Sequence, residues 1–87
     1  MKFTKTINLT GVIIVEDTNV YVNISYVEPE SPTEANFNFD GQDISVSGNC
    51  SKEGLAYYSV SRGIVTDEFM RQVEDELKKC LANYESI

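Results

Sequence analysis

Apolar and polar residues alternate with a period of two over most of this chain and change to a period of three and four near its end. In the first stretch Phe3, Ile7 and Leu9 share a face with Lys5, and Thr4, Thr6 and Asn8 take the other. Gly11 interrupts the pattern and reads as a turn or a bulge. Val12 to Val15 is a short strand that is apolar on both faces, and Glu16-Asp17-Thr18-Asn19 has turn chemistry. Val20, Val22, Ile24 and Tyr26 then alternate with Tyr21, Asn23 and Ser25, the pattern of a half-buried strand, so a hairpin is expected across residues 16–19. Both prolines and several acids crowd into 27–34, which predicts an exposed, extended loop.

Asp40-Gly41 lies between Phe37-Asn38-Phe39 and Gln42-Asp43-Ile44-Ser45-Val46 and predicts a two-residue type I′ hairpin. That register pairs Phe39 with Gln42, Asn38 with Asp43 and Phe37 with Ile44, and puts Phe37, Phe39, Ile44 and Val46 on one face. Gly48-Asn49 and Lys52-Glu53-Gly54 mark a further turn, followed by a strand over Leu55 to Val60 with Tyr57 and Tyr58 on opposite faces. At Thr66 the period changes. Thr66 suits an N-cap, with Asp67 and Glu68 in the first turn where the helix dipole favours acids. Phe69, Val73, Leu77, Cys80, Leu81 and Tyr84 form one apolar stripe, and Glu74 with Lys78 and Asp75 with Lys79 are spaced as i,i+4 ion pairs. The expectation is one α+β domain over 1–87: a small antiparallel sheet of four to five strands within 2–62, and one C-terminal helix over 66–84 packed on one face.

Composition sharpens this. A chain of 87 residues buries only about 60–65% of its unfolded surface, so the core is thin and function is expected on the outside. No continuous apolar stretch has the length of a signal peptide or a membrane span, and a cytoplasmic location is expected. The chain has no histidine and two cysteines, Cys50 and Cys80, too few ligands for a zinc site within one chain. Without a secretion signal the thiols are expected to be reduced. The sequons at Asn8, Asn23 and Asn49 read as chance for the same reason.

The net charge of −7 is uneven. Lys2 and Lys5 open the chain; from Thr6 to Ser51 there is no Lys or Arg, whereas Glu16, Asp17, Glu28, Glu30, Glu34, Asp40 and Asp43 are all acidic. Beyond Lys52 the two signs nearly balance. A one-signed field of this kind repels nucleic acid and anionic membranes and attracts basic surfaces; the same charge also serves solubility.

Catalytic constellations fail one by one. Asp40 and Asp43 flank an exposed turn, which offers a carboxylate pair no enclosed site for acid–base work, and the acids lack the spacing of a calcium loop. A serine or cysteine nucleophile has no histidine to activate it. Cys80 falls on the apolar stripe and is expected to be buried and inert, and Cys50, read as lying in a turn beside Lys52, is expected to be an ordinary unreactive thiol. The run from Gly48 to Gly54 lacks the order of a phosphate-binding loop. No enzyme, cofactor or metal is therefore expected. What remains is binding: Tyr21, Tyr26, Tyr57 and Tyr58 all fall on strands, and exposed tyrosines are frequent anchors.

In general character, short, acidic, histidine-free and rich in Asn, Ser and Thr, the chain resembles the small accessory proteins of bacteriophages and mobile elements. That resemblance implies an inhibitor of a host defence protein, of the anti-restriction or anti-CRISPR type, acting as a nucleic-acid mimic on a protein partner with a basic surface. The expected partner-binding residues are Glu16, Asp17, Glu28, Glu30, Glu34, Asp40, Asp43, Tyr21 and Tyr57. The competing expectation is a structural or assembly module, a homodimer or subunit joined through an edge strand and the exposed tyrosines.

Overall fold

The computed structural model describes residues 3–83. They form a five-stranded antiparallel sheet followed by one helix, as the periodicities predict. The strands are β1 (Lys5–Val15), β2 (Thr18–Glu28), β3 (Glu34–Asp40), β4 (Ser45–Ser51) and β5 (Gly54–Arg62), and the helix is α1 (Asp67–Ala82). The sheet order follows the chain, β1-β2-β3-β4-β5. Tyr84 of the expected stripe lies outside the described residues.

Alternation decides which side chains the helix covers. Ile13, Val15, Val20, Val22, Ile24, Ala35, Phe37, Val46 and Cys50 are buried from the sheet, and Phe69, Met70, Val73, Leu77 and Leu81 from α1. Thr66 caps the helix: its hydroxyl accepts the Phe69 N–H at 3.1 Å. The expected i,i+4 pairs do not form among the described residues. Lys79 pairs with Glu76 instead, and Glu74 turns to the sheet, where Oε2 accepts the Leu55 N–H at 2.7 Å.

The hairpins depart from expectation in an instructive way. β1 is continuous through Gly11, which pairs with Val22 inside an unbroken ladder from Lys5↔Glu28 to Val15↔Thr18. Leu9, Ile13 and Val15 keep the period of two across the glycine, so the register loses nothing there. The two-residue turn with both φ values positive is at Glu16 (50°) and Asp17 (62°), the signature of type I′. Asp40-Gly41 has no such geometry. Asp40 ends β3 and pairs with Ser45, Phe39 pairs with Val46 and Phe37 with Gly48, leaving a four-residue connection closed by Gly41 N–H to Ile44 O at 2.8 Å. The longer connection aligns Phe37 with Gly48, where a Cβ would stand 2.8 Å from the Phe37 ring and 2.4 Å from the Tyr57 carbonyl. Ring packing over a residue without a side chain outweighs the local preference of an Asp-Gly pair.

For the same reason Gly48-Asn49 lies within β4 rather than in a turn, and Cys50 is a buried strand residue, not a turn residue. The β2–β3 connection is shorter than expected, 29–33, and is not wholly exposed: Pro32 is fully buried.

Candidate functional site

In an antiparallel ladder directly paired residues share a face, so the registers map the face that α1 leaves open. One row crosses all five strands as Thr10, Asn23, Asn36, Asn49 and Tyr57. The next row is Val12, Tyr21, Asn38, Ser47 and Ser59. Neither row holds a charge. The Asn49 amide donates to Asn36 Oδ1 at 3.0 Å, which satisfies a side chain that is only 5% exposed. Tyr21 and Tyr57 are 59% and 65% exposed on this face, and a depression of about 260 Å³ lies beside Tyr21, Asn23, Asn36 and Asn38.

The acids lie at the ends of the strands. Glu16 and Asp17 form the β1–β2 turn, and Asp40 and Asp43 flank or lie in the β3–β4 connection at the same end of the sheet. Glu28, Glu30 and Glu34 gather at the opposite end, around the β2–β3 connection. All seven are exposed. The molecule measures 50 × 20 × 20 Å, and eleven-residue strands make the strand direction its long axis, so the acids occupy two poles rather than one continuous face. β3 joins the poles: its open-face side chains read Glu34, Asn36, Asn38, Asp40. Strand geometry puts the two carboxylates about 20 Å apart with amides between them.

Some of this charge has local partners. Arg62 Nη1 reaches Asp40 Oδ1 at 3.4 Å and donates to the Gly41 carbonyl, while Glu16 accepts from the Gln72 amide at 3.0 Å. Both members of the Arg62–Asp40 pair are more than half exposed, which leaves the carboxylate available at little cost.

The reactive groups are quiet. Burial pushes the Cys50 thiol up, with Glu74 adding to the rise and Lys78 opposing it. Cys80 is half-buried and is raised by burial first and by Glu76 second. Neither has the depressed pKa of a nucleophile. Among the described residues no set of three His, Cys, Asp or Glu side chains is placed to hold a metal ion, and no helix is long and apolar enough to cross a membrane.

Of the nine expected residues, the structure brings Tyr21, Tyr57, Glu34 and Asp40 to one face and divides the other five between the two poles. Sequence reasoning missed the amide rows. Their signal was Asn on strand positions 23, 36, 38 and 49, since asparagine is depleted in strands and its recurrence there is informative. In comparison with known proteins, the chain matches no family model, no curated protein and no solved structure.

Proposed function

We propose that this protein is a non-enzymatic binding protein that docks its open sheet face on a basic surface of a nucleic-acid-handling protein and blocks it. The observation that carries this reading is the β3 line Glu34-Asn36-Asn38-Asp40, exposed at every position, with Tyr21 beside it on β2 and Tyr57 two strands away on β5. Carboxylates at both ends steer and orient a cationic groove, the amides supply donors and acceptors in between, and the tyrosines give the contact its anchors. The acid poles extend the same sign beyond the face. The compositional resemblance to phage accessory proteins directs the reading to host defence nucleases, anti-restriction or anti-CRISPR in type, met in the host cytoplasm.

The test is capture on the immobilised protein at low salt, followed by a gel-shift assay of the captured protein's nucleic-acid binding. Inhibition by the wild type is expected, weakening as salt rises. Reversal of Glu34 and Asp40 to lysine should abolish it while the far-UV spectrum stays unchanged. A partner bound equally well by Glu34→Lys/Asp40→Lys and by the wider reversal of Glu28, Glu30, Glu34, Asp40 and Asp43 sinks this reading.

A further inference from the structure

The sheet has two outer edges, and they differ. β5 pairs with β4 through a ladder interrupted at Ser45/Val46 and at Asn49/Cys50; such bulges twist an edge away from new pairing. β1 pairs with β2 through an unbroken register along its whole length, and among the described residues no strand pairs with its other side. Natural edges are blunted by charge, proline or bulges. β1 has none of these between Lys5 and Glu16, and it exposes Val12 and Ile14 at 50% and 68%.

We infer that β1 is a self-association edge, its occupant the β1 strand of a second copy running antiparallel. The Val15↔Thr18 pair closes a two-residue turn and so exchanges both its backbone bonds. By alternation, the N–H and C=O groups of Thr6, Asn8, Thr10, Val12 and Ile14 point to the free edge. A two-fold axis at Thr10 pairs Thr10 with itself, Asn8 with Val12 and Thr6 with Ile14, and about ten backbone bonds satisfy both edges.

Charge selects this occupant and this direction. In the antiparallel register Lys5 of each copy comes opposite Val15 of the other, one residue from Glu16, so the two ends of the seam attract. Parallel pairing sets Lys5 against Lys5 and Glu16 against Glu16. In a molecule of net charge −7, a seam that is neutral along its length and complementary at both ends is a contact that two copies tolerate. The result is one continuous ten-stranded sheet with the amide rows of both copies on the same side. This inference does not rest on the β3 carboxylate line.

Sedimentation equilibrium at high micromolar concentration tests it, with twice the 9.8 kDa chain mass expected for the wild type. Thr10→Pro deletes an outward N–H without touching the β1–β2 ladder, and Asn8→Lys with Val12→Lys sets like charges opposite each other twice. Both should sediment as monomers, a loss of at least tenfold in association. If the proline variant fails to fold, the double lysine variant decides. Oxidised Thr10→Cys should run as a linked dimer on a non-reducing gel, because paired Cα atoms about 5.5 Å apart admit a disulfide. Tyr57→Cys and the parent chain should not. Glu34→Lys/Asp40→Lys should remain dimeric, which separates this contact from the proposed partner surface. A monomeric wild type, or a dimer that survives both β1 variants, overturns it.

Discussion

The Glu74 carboxylate accepts the backbone N–H of Leu55 at 2.7 Å, across nineteen residues of chain. The bond ties the middle of α1 to the start of β5, next to Gly54, whose φ of 139° leaves a Cβ only 3.0 Å from the same carboxylate oxygen. Glu74→Ala leaves a half-buried donor unpaired and should cost about 1.5–3 kcal/mol. Glu74→Gln, which keeps a neutral acceptor, should cost less. Urea denaturation followed by circular dichroism resolves the two.

Gly63 has a φ of 77°, and a Cβ there would stand 2.1 Å from the Asp43 carbonyl oxygen. Gly63→Ala must hold a left-handed backbone at about 1–3 kcal/mol and also displace the β3–β4 connection. The melting temperature should fall well below that of Ser59→Ala, a control at an exposed β5 position.

Leu77 is fully buried between the helix and the sheet. Leu77→Ala should cost about 2–5 kcal/mol, which is a large share of the margin of so small a domain. An unchanged urea midpoint would mean that α1 does not pack on the sheet as described.

Thiol titration gives a pH dependence. Both cysteines are raised, so the folded state holds their protons more tightly than the unfolded chain does. Their contribution is therefore intact below the ordinary thiol value of about 8.5 and is lost as pH climbs from there through the raised values. Stability should decline on the alkaline side, and Cys80→Ala should flatten part of that slope. Alkylation read by mass spectrometry should label Cys80 slowly in the folded protein, and Cys50 only on unfolding.

The fold was legible where many residues act together. The alternation from Val20 to Tyr26 and the stripe from Phe69 to Leu81 each sum several burials, and both elements form where expected. Single-residue signals fared worse. Gly11 and Gly48 read as breaks but lie inside strands, because Leu9, Ile13 and Val15 carry the register past the first and the Phe37 ring occupies the space at the second. Asp40-Gly41 lost its two-residue turn to the same Phe37–Gly48 alignment. Met70 also belongs to the stripe, three residues before Val73 and seven before Leu77, and was overlooked in favour of its neighbour Phe69. The candidate surface was half legible: the sign of its charge is written in composition, but its split between two poles depends on which connections share an end of the sheet, a relation among elements rather than a property of any one stretch.

Because sheet order equals chain order, every ladder joins strands adjacent in sequence. The sheet can therefore zip up hairpin by hairpin as the chain leaves the ribosome, with little loop entropy opposing each step. The covering helix is encoded after all five strands. Until it arrives, Val20, Ile24 and Phe37 face water as an uncovered apolar wall, and the nascent sheet is most vulnerable to misassembly in that interval. Quality control in the cell thus bears most heavily on α1: a lesion there exposes the entire wall at once, whereas a lesion in an edge strand unfastens one ladder and a lesion in an inner strand two.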